Sequence, residues 1–149
     1  MKRIFCVICL LALLAGCSTE QPQTPTEAEQ TIPEGEYTVG IYELTFKTQL
    51  ISNDSVGNDW SFTYTYNDQP IKSGYTITQS LEVFAFQSID IEIRENDKID
   101  DVGIGTMAVA ICDGGSGKTQ ITVTETNGLY KGNTAVWEIS CEVRLVDKK

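Results

Sequence analysis

Histidine is absent from the 149 residues of this chain. That removes every Ser/His/Asp or Cys/His catalytic unit, every imidazole-ligated zinc and every imidazole acid or base. Basic residues are scarce as well, 11 Lys and Arg against 21 Asp and Glu, for a formal charge of −10. Nucleic acid is thereby excluded as a partner, because phosphate binding needs clustered Lys and Arg. A membrane-spanning helix needs ~20 apolar residues, and the run Ile4 to Ala15 has twelve. No stretch of useful length repeats at the 3.6-residue helical period. What remains is 41% hydrophobic and 21% charged, enough for the core of one modest domain and too apolar for a disordered chain.

Residues 1–16 have the layout of a secretory signal: Lys2 and Arg3, then the short apolar run, then small residues. The ending Leu14-Ala15-Gly16-Cys17 resembles the bacterial lipobox position for position. The resemblance implies cleavage before Cys17, which then carries the lipids and anchors the chain, since several acyl chains on one residue hold a membrane stably. Processing would remove Lys2 and Arg3 and no acid, taking the charge from −10 to −12. It would also discard Cys6 and Cys9. Cys112 and Cys141 would remain as a pair in an oxidising compartment, where a disulfide is permitted. Residues 17–34 follow as lipidated cysteine and tether, with three of the four prolines and no aromatic residue. Ser18 after the lipidated cysteine favours the outer membrane if the host is Gram-negative.

Residues 35–149 read as an antiparallel β-sandwich of about seven or eight strands. Hydrophobicity there has period two. Tyr37 to Phe46 opens a strand that changes face near Tyr42, which suggests a bulge. Trp60-Ser61-Phe62-Thr63-Tyr64-Thr65-Tyr66 alternates aromatic and hydroxyl residues, and its aromatic stripe is expected to face the core. Asn67 to Pro70 supply turn chemistry. Thr76 to Phe86 is mostly extended, and Ile89 to Arg94 alternates cleanly. Met107 to Ile111 is apolar on both faces, as a central strand would be. Thr119 to Thr126 and Val136 to Val146 complete the set, the latter with Trp137, Ile139, Cys141, Val143 and Leu145 on one face.

Two acidic segments stand out: Ser52 to Asp59, and Glu95 to Asp101. Both offer carboxylates and amides without a soft ligand, the donor chemistry of calcium. If both lie at one end of the sandwich, their charges converge and repel unless a proton or cation intervenes. The run Ile91 to Thr106 resembles loop 3 of the C2 domain, with an alternating strand, an acid-x-acid pair, a further aspartate and then Ile104-Gly105. Residues 50–66 are similar to its loop 1. The resemblance implies a C2-like sandwich and places calcium ligands at Asp54 and Asp59 in the first segment. In the second it places them at Glu95, Asp97 and Asp101, with Asp100 as the alternative for the last position. The sequence departs from the pattern at Asp59-Trp60-Ser61, where Asp-Pro-Tyr is common, and at Glu95, where Asp is usual.

Gly114 to Thr119 lacks the first glycine and the helix of a phosphate-binding loop, so it reads as a hairpin connection. Taken together, these features lead to a lipid-anchored, non-enzymatic binding module of a bacterial envelope. The membrane is its first partner through Cys17, and a protein or an anionic envelope ligand its second, with calcium as the cofactor the loops would take. An envelope inhibitor or immunity-type interaction lipoprotein is the alternative. A carboxylate-dependent hydrolase of envelope polymers ranks lowest, since the acids sit in turns.

Overall fold

The computed structural model describes residues 38–97 and 99–149. The signal sequence, Cys17 and the tether lie outside the described residues. Eight strands follow in order: β1 (Val39–Asn53), β2 (Trp60–Tyr66), β3 (Gln69–Ile71), β4 (Tyr75–Ser80), β5 (Ala85–Glu95), β6 (Asp101–Ile111), β7 (Ser116–Thr124) and β8 (Thr134–Lys148). They form two four-stranded sheets, β4-β1-β8-β7 and β3-β2-β5-β6, with every neighbouring pair antiparallel. The chain is an all-β antiparallel sandwich, as its period of two requires.

Alternate residues of each strand point inward and meet in one core. Leu44, Ile89, Ile93, Val109, Val123 and Ile139 are fully buried there. The aromatic stripe of β2 packs against this core. Tyr64 stacks on Phe46 with ring centroids 4.2 Å apart, and Phe62 and Trp60 set their edges against Trp137 at 4.9 and 5.4 Å. Stacked and edge-on pairs at these spacings favour one arrangement of the rings beyond the area they bury.

Several expectations change in detail. β1 keeps one inward face from its start, through Gly40, Tyr42 and Leu44. The irregularity near Tyr42 belongs to its partner: Ile41 pairs with Asp147 and Tyr42 with Leu145, so β8 carries the extra residue, Val146. A second register shift, at Leu50/Ser52, leaves Ile51 extra in β1. The turn after β2 is confined to Asn67 and Asp68, both at positive φ (48° and 58°), the conformation that matches hairpin twist. Pro70 already belongs to β3, an edge strand, where its missing N–H breaks no ladder. The extended run 76–86 is two strands in different sheets, joined by a crossing at Leu81 to Phe84.

β6 is an edge strand of its sheet rather than a central one. Met107, Val109 and Ile111 face the core, whereas Ala108 on the other face is exposed. β7, the edge of the opposite sheet, lies directly against it, and the two strands close the sandwich along that side. Glycines make the approach close. A Cβ on Gly117 would stand 2.5 Å from the carbonyl oxygen of Ala108, and one on Gly103 would stand 2.8 Å from that of Thr122.

Cys112 and Cys141 are both free thiols. Cys141 lies in the middle of β8 opposite Phe46 and Gly117, whereas Cys112 lies beyond the last residue of β6. Burial pushes the Cys141 thiol up to about 11, and a protonated, enclosed thiol is a poor nucleophile. Iodoacetamide at mildly alkaline pH is therefore expected to modify the half-buried Cys112 in the native chain and to spare Cys141 until denaturant is added. Peptide-resolved mass spectrometry checks this, and equal labelling of both thiols would contradict the packing described.

Candidate functional site: an acidic end built from three loops

Antiparallel order sorts the connections to two ends. The β1–β2, β5–β6 and β7–β8 loops share one end. The β2–β3 turn, the β4–β5 crossing and the β6–β7 turn share the other, where β1 also begins and β8 finishes. Both acidic segments consequently fall at the same end, and a backbone hydrogen bond from Asn96 N–H to Asp59 C=O (2.7 Å) ties them together. The side chains add a second link, with Ser61 Oγ donating to Asn96 Oδ1 at 3.0 Å.

The β1–β2 loop is shaped by Asn53. Its Oδ1 accepts from Val56 N–H at 2.9 Å and its Nδ2 donates to Gly57 C=O at 2.8 Å. Val56 is thereby tucked into the core at 1% exposure. Ser55 and Gly57 take positive φ, which bends the loop back over the end of β5. At Gly57 a side chain would collide with the carboxyl of Glu95, so only glycine fits both the backbone and the space.

Glu95 and Asp101 face each other as the last residue of β5 and the first of β6. They are buried, at 4% and 2% exposure. Burial raises the Glu95 pKa above the ordinary glutamate range, and the charges of Asp97 and Asp101 add to the effect. Backbone N–H groups of Asp59 and Asn58 oppose it by donating to the carboxylate. Asp101 Oδ1 accepts twice from Thr126, from N–H at 2.9 Å and from Oγ1 at 2.6 Å. The carboxyl of Glu125 lies within hydrogen-bonding reach of Asp101. Lost solvation raises the Glu125 pKa, followed by the charge and the hydrogen bond of Asp101 and by the charge of Asp97.

The structure thus brings together Glu95, Asp97 and Asp101 from the sequence-derived set and adds Glu125. It leaves the others apart. Asp100 turns to Arg94, 2.8 Å from Nη1, and Arg94 also holds Glu92 at 2.7 Å. Asp54 and Asp59 are exposed. Asp59 serves the cluster through its backbone, and Asp54 N–H donates to Thr134 C=O. Asp97 Oδ1 accepts from Ile99 N–H at 2.6 Å, fixing the turn. Among the described residues no three carboxylates or thiols stand close enough together to enclose a metal ion. Glu125 was missed because it directly follows a strand and belongs to no acidic run. Counting strand directions would have found it, since β7 must end where β5 ends.

Around this charge the loops expose apolar tips: Leu129 at 89%, Ile99 at 56% and Tyr130 at 53%. Two shallow depressions among the described residues lie elsewhere. One of about 350 Å³ borders Gly115, Val143 and Arg144, and one of about 370 Å³ borders Lys47 and Glu138.

Fold and site together define an all-β antiparallel sandwich with one acidic end. No family model matches the chain, and no match is found among curated proteins or among solved structures.

Proposed function

We propose that this chain is a lipid-anchored, non-enzymatic binding module of a bacterial envelope, held by Cys17 and binding through the acidic end of a C2-like sandwich. The observation that carries the reading is the convergence at one end of Glu95 and Asp101, buried and paired across β5 and β6, with Asp97 and Glu125 beside them. Two carboxylates in hydrogen-bonding contact hold either a proton or a cation between them. The donors are all hard oxygens, which suits calcium. Asp101 and Glu125 would contribute the first oxygens, with Asp97 and Glu95 adding negative charge around them. A bound ion would supply a positive centre for an anionic envelope ligand, which the −12 chain would otherwise repel.

External calcium modules work at Kd of roughly 10⁻⁴–10⁻³ M. At about 1 mM calcium such a site contributes about 0.4–1.4 kcal/mol, a rise in Tm of roughly 2–5 °C. Melting the chain in calcium and in chelator measures it. The calcium reading is lost if Tm does not move and Asp97→Ala behaves as wild type. The exposed tips Leu129, Tyr130 and Ile99 favour a protein partner as the second reading, an inhibitor or immunity-type lipoprotein. Pull-down from envelope extracts that recovers no partner would remove it. The outer membrane is the expected location if the host is Gram-negative.

A further inference from the structure

The end opposite the acidic loops carries an apolar patch of its own. Val83, Phe84 and Phe86 are 54%, 63% and 63% exposed, and the two phenylalanine rings meet edge to face with centroids 5.2 Å apart. Side chains of this size left in water at the corner of a sandwich mark a contact surface rather than a fold requirement. Their position relative to the start of the domain is specific. Leu81 N–H donates to Thr38 C=O at 3.1 Å, so the β4–β5 crossing is bonded to the residue through which the chain enters β1. The exposed Lys148 and Lys149 lie at the same corner, with Val39 and Lys149 exchanging backbone hydrogen bonds at 3.2 and 2.8 Å.

We infer that Val83, Phe84 and Phe86 rest on the bilayer that holds the lipid anchor, so that the domain stands on this end and presents its acidic end outward. The inference depends on the Cys17 anchor proposed above and assigns that anchor an orientation. Twenty residues separate Cys17 from Thr38. A random coil of twenty residues spans ~25 Å on average, a reach that would keep the patch at millimolar effective concentration near the lipid. A weak contact then suffices to set direction. Charge points the same way. Glu95, Asp97, Asp101 and Glu125 gather at the far end, about 30 Å away along β5, which carries Phe86 near its start and Glu95 as its last residue, and anionic head groups repel them. At the near end Lys148 and Lys149 stand among four acids, Asp68, Glu82, Asp113 and Asp147, all of them exposed, and among the described residues no buried carboxylate like Glu95 or Asp101 lies there.

The test uses the full lipidated chain, reconstituted in vesicles of phosphatidylethanolamine and phosphatidylglycerol with brominated acyl chains, which quench tryptophan on contact. Trp60 and Trp137 lie toward the acidic end, so wild-type emission is expected to match that in unbrominated vesicles. The emission added by Phe84→Trp, a side chain suited to the head-group level, is expected to fall in the brominated vesicles relative to the unbrominated ones. Flotation with the vesicles but no added quenching would overturn the orientation while leaving the anchor standing. Quenching of the wild-type tryptophans would overturn it as well, by placing the acidic end on the lipid. A chain that fails to float and carries no acyl mass on Cys17 would remove the anchor and this inference together. A Cys17→Ser chain that sediments as a dimer, dissociated by Phe84→Ser, would assign the patch to a second copy and overturn the bilayer contact.

Discussion

Gly117→Ala is expected to cost the fold about 2–3 kcal/mol, the upper range for forcing a methyl group into a packed interior, and to lower Tm by roughly 10 °C. The added Cβ would stand 2.5 Å from Ala108 O, 2.9 Å from Val109 Cγ2 and 3.1 Å from Met107 Cγ. The nearest of these is backbone. It belongs to β6, which the β5 ladder holds along its full length from Asp101 to Ile111. β7 is held just as firmly by β8, so the two edges cannot part without straining both sheets. Side-chain pruning does not relieve the collision: Val109→Ala combined with Gly117→Ala is expected to be worse than either change alone, because Ala108 O stays in place. Gly114→Ala serves as the control. Nothing lies within 4 Å of its Cβ position, and only its positive φ of 74° resists the change, at about 1 kcal/mol. Thermal melting of Gly117→Ala, Val109→Ala, their combination and Gly114→Ala decides the matter. Equal losses for Gly114 and Gly117 would mean that contact across the β6–β7 seam is not what requires glycine.

The second large effect is at Asp101. Asp101→Ala removes both hydrogen bonds accepted from Thr126 and is expected to cost about 1–3 kcal/mol. Asp101→Asn keeps an acceptor and replaces the charge by an amide that can donate to Glu125. It is expected to be at least as stable as wild type at neutral pH in chelator. The sign follows from the neighbouring groups. Glu95 and Glu125 both have folded-state pKa values raised above the ordinary glutamate value. In the interval above that value the native state binds more protons than the unfolded chain, so wild-type stability falls as pH rises from ~4.3 toward neutrality. Asp101→Asn removes one of the charges responsible, and the fall should shrink. Calcium should raise wild-type Tm and raise that of Asp101→Asn less. Denaturation across this pH interval checks the set. Equal loss in the Asn and Ala variants would refute the role given to charge, and an unchanged pH slope in Asp101→Asn would do the same.

The fold class was legible because alternation is a local property: inward Ile89, Ile91 and Ile93, or Ile139, Cys141 and Val143, can be read without knowing any neighbour. Partnership was not legible. Met107 to Ile111 is apolar on both sides whether a strand is central or pressed against the edge of another sheet, and only the glycines at 103, 105 and 117 hinted at the second case. The site divides along the same line. Glu95, Asp97 and Asp101 are close in sequence, so their clustering could be anticipated. Glu125 joins them across the sandwich, and Asp100, adjacent to Asp101, is drawn out of the cluster by Arg94. Alternation sets these two neighbours on opposite faces, a distinction that the acidic run alone does not make.

The longest ladder in the domain, β1 with β8, pairs Gly40 with Lys148 and Asn53 with Ala135. The first strand to be synthesised thus waits for the last, and the central pair of its sheet closes a loop of about eighty to more than a hundred residues. Contacts so distant along the chain make folding slow, and no partial product holds the partner that β1 requires. A chain exported in the unfolded state would profit from that delay, since the sandwich cannot lock before its C-terminal strand has crossed the membrane. Truncation within β8 should accordingly leave an unfolded chain rather than a smaller domain.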